Sequence, residues 1–160
     1  NFEFNLTTKQ SETMLNGENV ESLIRGSEVS DSVSIIAQIK QVRNKLIALQ
    51  QDIGKSKNVV MDGRDIGSVV FPDAKLKLFV TASVSIRAQR RYDELVKNEQ
   101  NITYKEVFDN LVKRDKHDEN RVFNPLVKAD DAVLIDNSNI SIQQQNILID
   151  DLITDIISKT

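Results

Sequence analysis

Val59-Val60-Met61-Asp62-Gly63-Arg64-Asp65-Ile66-Gly67-Ser68, followed by Leu76-Lys77-Leu78-Phe79-Val80, decides the class of fold. Two short β-rich runs flank a loop that carries two glycines and three charged side chains. Upstream the pattern is helical from Glu28 to Ile53. Val29, Val33 and Ile36 make one stripe, and Val42, Leu46, Leu49 and Ile53 make a second. The two helices break near Ile39-Lys40, and Gly54 predicts a left-handed stop. Downstream, a helix from Ser83 turns Ala88, Tyr92 and Leu95 inward. The next starts at Thr103, which fits a reciprocal cap with Glu106, and its inward set is Tyr104, Val107, Phe108 and Leu111. Ala132-Val133-Leu134-Ile135 predicts a third, buried strand. Ser141 with Gln144 caps a last helix whose stripe is Ile149, Leu152, Ile153, Ile156 and Ile157. Strands alternating with helices predict an α/β fold, a parallel sheet covered on both faces. The strand at 76–80 alternates Leu with Lys and is expected to be the least covered. At the start of the chain Phe2, Phe4 and Leu6 alternate with polar neighbours. Asn16-Gly17 is a favoured tight-turn pair, so residues 2–20 are expected to form a small antiparallel ribbon.

Composition narrows the function classes. The 160 residues are 39% apolar, 28% charged and 5% aromatic, with no Cys, which rules out disulfide scaffolds, thiolate zinc sites and thiol catalysis. With 21 Lys plus Arg against 24 Asp plus Glu, the net charge of -3 argues against a nucleic-acid surface driven by bulk charge. No run of about 18 apolar residues exists, so no membrane span is expected. No export signal follows Asn1, and a cytoplasmic location is expected. The absence of an initial Met reads Asn1 as an internal position of a longer gene product. No internal repeat or low-complexity tract occurs.

Ligands of open parallel sheets bind beyond the carboxyl ends of the strands, where the loop Asp62–Ser68 is expected. Gly63 and Gly67 let its backbone approach a ligand closely, Arg64 offers a planar fork of donors, and Asp65 can accept from an amine. The plain alternative is a tight loop closed by an internal Arg–Asp pair. The arginines are Arg25, Arg43, Arg64, Arg87, Arg90, Arg91, Arg114 and Arg121. Arg114 and Arg121 are seven apart, two helical turns, so they can point the same way. Convergent arginines in an acidic protein point to a small polyphosphate ligand, and the alternative is a solvated charged face. His117, the only histidine, is expected at the surface and not on a metal.

Together these residues resemble the bacterial cytidylate (CMP) kinases of the P-loop nucleoside monophosphate kinase superfamily. The resemblance rests on Val60 to Ala74, on Arg87-Ala88-Gln89-Arg90-Arg91, on Arg114-Asp115 through Asp118 and Arg121, and on Pro125-Leu126 and Ala129-Asp130-Asp131-Ala132. It implies a P-loop-kinase-like α/β fold lacking its first strand, with a small ribbon-plus-helix acceptor region. The divisions it implies are 1–54 as the monophosphate-binding region, 55–113 as core, 114–130 as lid and 131–160 as core again. The implied reaction is ATP-dependent phosphorylation of CMP or dCMP with Mg²⁺. In that family Ser34, Arg43 and Asp65 would read the cytosine edge, and Arg64 and Arg121 would hold the monophosphate. Asp118 would accept from the sugar hydroxyl, Arg114 would reach the transferring group, and Arg90 would lie on the ATP side. Phosphoryl transfer needs positioning and charge neutralisation more than an activated nucleophile, which suits a set of arginines. The other two readings are a non-catalytic nucleotide-binding fragment and a kinase for another monophosphate such as UMP or AMP.

The family's Gly-x-x-x-x-Gly-Lys-Ser/Thr phosphate loop does not occur in this sequence. Gly54-Lys55-Ser56 imitates its tail, but a helix precedes it where the motif requires a strand. His117 and Glu119 also stand where other members often carry Arg. The missing strand would lie centrally in the sheet, leaving an edge open to self-association. The 160 residues alone are therefore expected not to transfer phosphate, because the β- and γ-phosphates lack their backbone donors and Lys. A coupled assay should detect no CMP-dependent ADP formation, and measurable turnover would refute this.

Overall fold

Alternation at the start of the chain folds into the expected ribbon. The structure is a computed structural model that describes residues 2–7, 9–24, 26–56, 58–97 and 101–159, without the side chains at 2, 10, 27, 28, 30, 31 and 34. Arg25 and the Ser34 side chain therefore lie outside the described set. β1 (Phe2–Asn5) pairs antiparallel with β2 (Gln10–Leu15), and β2 with β3 (Glu18–Asn19). Asn16 (φ 53°) and Gly17 (φ 87°) supply the left-handed turn between the last two. Glu12 accepts from Asn5 at 2.6 Å and from Asn19 at 2.7 Å, so one carboxylate spans all three strands. Thr13 donates through its backbone and hydroxyl to Glu21, which opens the one-turn helix α1 (Glu21–Ile24) and ties the ribbon to the helices.

The helical stretch divides where the sequence predicts, into α2 (Ser27–Ile36) and α3 (Lys40–Gly54). Gly54 ends α3 but not as a left-handed cap: Lys55 beyond it stays right-handed (φ -60°, ψ -28°). The Phe71 ring occupies the space that a Cβ on Gly54 would need, so a close approach and not a turn calls for glycine.

Two further expectations change between 59 and 70. Val59-Val60-Met61 forms no strand, and Val60 is fully exposed. No neighbouring strand among the described residues takes up its N–H and C=O groups, and a lone strand has nothing to hold it extended. The stretch 62–68 is not a plain loop, since Ile66–Val70 forms one π-helical turn.

β4 (Leu78–Thr81) and β5 (Val133–Asp136) pair in parallel, with Leu78 opposite Val133 and Thr81 opposite Asp136. Between them run α4 (Val84–Lys97) and α5 (Tyr104–Glu119), and α6 (Ile142–Ser158) follows. Both predicted capping boxes form, at Thr103 with Glu106 and at Ser141 with Gln144. The main core lies between α4 and α5. Ala88, Leu95 and Val107 are buried there, with Tyr92, Ile102, Phe108 and Leu111 packed around them. Tyr104 closes the cluster edge-on to Tyr92 at 6.2 Å and tilted against Phe108 at 6.1 Å. The charged run does not interrupt α5, which continues through Arg114 to Glu119.

The sheet is less covered than expected. Only Ile135 of the predicted third strand is buried, while Val133, Leu134 and Val80 are exposed. α6 buries no residue: Ile149, Leu152 and Ile156 are half-covered, and Ile153 and Ile157 are exposed. Two paired strands are too narrow to cover the apolar stripe of a 17-residue helix. No helix among the described residues is long and apolar enough to cross a membrane.

Candidate functional site

Ionised side chains are seldom buried unless paired. Among the described residues four are buried and interact: Arg43, Asp65, Asp118 and Arg121 are 8%, 7%, 4% and 8% exposed. Their contacts bring together four parts of the chain.

Arg43 sits in the first turn of α3. Its Nη2 donates to Asp65 Oδ2 in a short, buried ion pair, and its Nη1 reaches the Ala37 carbonyl in the α2–α3 break at 3.5 Å. Asp65 is held from behind by its own backbone, because its carbonyl accepts from Val69 at 2.9 Å and Val70 at 3.2 Å to start the π-turn. The carboxylate is thus fixed on a tight turn and not on a free loop.

Asp118 lies in the last turn of α5 and joins the rest. Its Oδ2 accepts from Arg64 Nε at 2.9 Å, and its Oδ1 stands 3.6 Å from Arg121 Nη1. Its backbone carbonyl accepts from Leu126 at 2.7 Å, which folds the segment after α5 back over the cluster. Arg64 therefore pairs across 54 residues with Asp118 rather than with its neighbour Asp65, so the internal Arg64–Asp65 closure does not form. The solvated-face reading of 114–121 fails at Asp118 and Arg121 and holds for exposed Lys116 and Glu119.

Three guanidinium groups face two carboxylates in this cluster, so it carries excess positive charge. Burial first, then the Arg43 charge, draw the Arg121 guanidinium below its ordinary pKa; Asp118 and Asp65 act against this. Arg121 Nε and Nη2, Arg43 Nε and Arg114 Nε are buried without a hydrogen-bond partner among the described residues. Buried donors left open cost free energy unless a ligand or water meets them, and guanidinium forks match phosphate and carboxylate oxygens. Arg114 stands one turn before Asp118 on α5, on the same face.

A cleft of about 390 Å³ opens onto Arg121, lined by Gln38, Lys40, Lys116, His117, Asn120, Val122 and Phe123. None of these except His117 was singled out from the sequence. The Lys40 ammonium lies over the Phe123 ring, 4.5 Å from its centre, bridging α3 to the segment after α5. No spacing marks two residues so far apart as neighbours. His117, expected at the surface, is half-buried, and its Nδ1 is buried without a partner among the described residues. Arg90 is apart from this set: its Nη1 and Nη2 donate to Asn137 at 2.9 and 2.8 Å, beyond the end of β5. Ser34 lies on α2, and its side chain is outside the described residues.

The family model for cytidylate kinase matches residues 1–157. The chain belongs to the cytidylate kinase family. The implied α/β fold of P-loop nucleoside monophosphate kinases, parallel strands flanked by helices with a small antiparallel ribbon, is the one described above. The chain is 54% identical over 144 residues to the cytidylate kinase of Phocaeicola vulgatus, covering 90% of this chain and 63% of that protein. It is 49% identical over 156 residues to the cytidylate kinase of Flavobacterium johnsoniae (98% and 68%) and 52% over 155 residues to that of Flavobacterium psychrophilum (97% and 69%). It thus spans 63 to 69% of the length of these cytidylate kinases.

Asp118→Ala should lower the unfolding free energy by about 3 kcal/mol in urea titration, because Arg121 stays buried with its counter-charge gone. A loss well under about 1 kcal/mol would mean that the cluster is solvated.

Proposed function

We propose that this chain carries the acceptor-nucleotide site of an ATP-dependent cytidylate kinase converting CMP or dCMP to the diphosphate, acting in the cytoplasm. The supporting observation is the buried Arg43–Asp65 pair beside Arg121, with guanidinium donors left open on both arginines. Cytosine presents an exocyclic amine next to ring acceptors. Asp65 takes the amine, while Arg43 and Ser34 donate to the acceptors. Arg64 and Arg121 hold the monophosphate, for which the open Nε and Nη2 of Arg121 are suited donors. Asp118 accepts from the sugar hydroxyl, and its hydrogen bond from Arg64 and its ion pair with Arg121 keep both cations aimed at one place.

Arg114 neutralises charge on the transferring group, and its unpartnered Nε is free for that role. Arg90 serves the ATP side, exchanging its bonds to Asn137 for phosphate oxygens. ATP would supply the phosphoryl group and Mg²⁺ would neutralise its phosphate charge; the described residues contain no cluster of three His, Asp or Glu side chains to hold the ion by themselves. Residues 1–54 act as the monophosphate-binding region, 55–113 and 131–160 as core, and 114–130 as a lid. Lid closure excludes water, which suppresses ATP hydrolysis. The Lys40–Phe123 contact between the first region and the lid fits that motion.

Asp65→Asn should abolish the preference for CMP over UMP in calorimetric titration, since an amide replaces the acceptor for the cytosine amine. An unchanged preference would remove Asp65 from base recognition.

The exposed Val80, Val133 and Leu134 of the two-stranded sheet further lead us to propose self-association through the open edge. Sedimentation velocity should show a mass that rises with concentration. A single 18.1 kDa species at all concentrations would refute it.

A further inference from the structure

The π-turn touches α3 at both of its ends. At the leading end Asp65 meets Arg43; at the trailing end Val70 and Phe71 meet Gln51 and Gly54. Gln51 Nε2 donates to the Val70 carbonyl at 3.2 Å, and the Phe71 ring fills the place of the side chain that Gly54 lacks. Gly54 follows Arg43 by three helical turns and shares its face of α3, so the attachments are about 12 to 16 Å apart. The turn between them is stiff, since Asp65 and Ile66 carbonyls accept from Val69, Val70 and Phe71 at 2.9, 3.2 and 2.7 Å.

Its outer side is also held. The Lys77 stem packs on Gly67, with Cδ 3.3 Å from where a Cβ would sit, and Lys77 Nζ donates to Asp131 at 2.6 and 2.8 Å. Those bonds hold the Asp131 carboxyl below its ordinary pKa. A five-residue turn clamped at both ends cannot slide along α3 without moving Asp65.

We propose that Gln51 and Gly54 are positioning residues: by seating the trailing end of the π-turn on α3, they hold Asp65 in register with Arg43. The link to base selectivity rests on the reading of that pair as the cytosine contact; the positioning itself does not. Gln51 is exposed and takes no part in the α4–α5 core, so its replacement is expected to leave folding intact.

Two measurements on the chain separate these statements. The first is rotation of the Arg43 guanidinium, followed by ¹⁵N NMR, which is slow when the group is locked on a carboxylate. The second is the ratio of CMP to UMP dissociation constants from calorimetry. In Gln51→Leu and Gly54→Ala, Arg43 rotation should quicken, and the CMP preference should narrow about fivefold, the equivalent of one hydrogen bond. Gln51→Lys keeps a donor and should retain both properties. Unchanged Arg43 rotation in Gln51→Leu and Gly54→Ala overturns the proposal, as does Gln51→Lys behaving like Gln51→Leu. If rotation quickens as expected while the wild-type chain shows no preference for CMP, the positioning stands and the cytosine reading falls.

Discussion

A buried charge must be met by an opposite one, and Asp118 is where that requirement organises this molecule. Its carboxylate, at the end of α5, is shared by Arg64 and Arg121, while Asp65 beside Arg64 takes Arg43 from α3. Removing Asp118 leaves Arg121 buried without its counter-charge, and removing either Arg43 or Asp65 does the same to the other, so the cost of unpaired charge helps to tie these segments together. Three guanidinium groups against two carboxylates leave the cluster with excess positive charge and with open donors on Arg43 and Arg121 among the described residues.

The apolar core does a narrower job. It is concentrated between α4 and α5, where Ala88 lets the helices approach and Leu95 and Val107 fill the space between them. Much of the remaining apolar surface, on α3, α6 and the strands, stays exposed. The charged cluster is thereby carried on a rigid helix, α5, whose beginning is fixed by its cap and whose end presents Asp118. Arg87 adds a brace from α4 to Asp115 at 2.8 Å, one turn along from the core contacts.

Local signals carried most of the architecture. The Asn16-Gly17 turn, both capping boxes and the break between α2 and α3 follow from neighbours within a few residues and form as read, while the runs at 76–80 and 132–135 become strands shifted by one or two residues, Leu78–Thr81 and Val133–Asp136. The failures share a cause. Val59–Met61 has strand composition but no partner to pair with, and the α6 stripe has helical spacing but too little sheet beneath it. Gly54 reads as a turn residue, whereas an aromatic ring 17 positions away is what requires it.

The same division runs through the site. Residue types and spacing alone marked Arg64, Asp65, Arg114 and Arg121 and suited them to a phosphate-bearing ligand, because donor and acceptor chemistry belongs to the side chain itself; the role of Asp118 came only with the family resemblance. Only the tertiary structure decided which carboxylate each arginine meets, that Asp118 and Arg121 are buried rather than solvated, and that Lys40, His117 and Phe123 line the approach to Arg121. Burial and pairing across 22 and 54 residues are properties of how distant segments pack, and no local pattern encodes them.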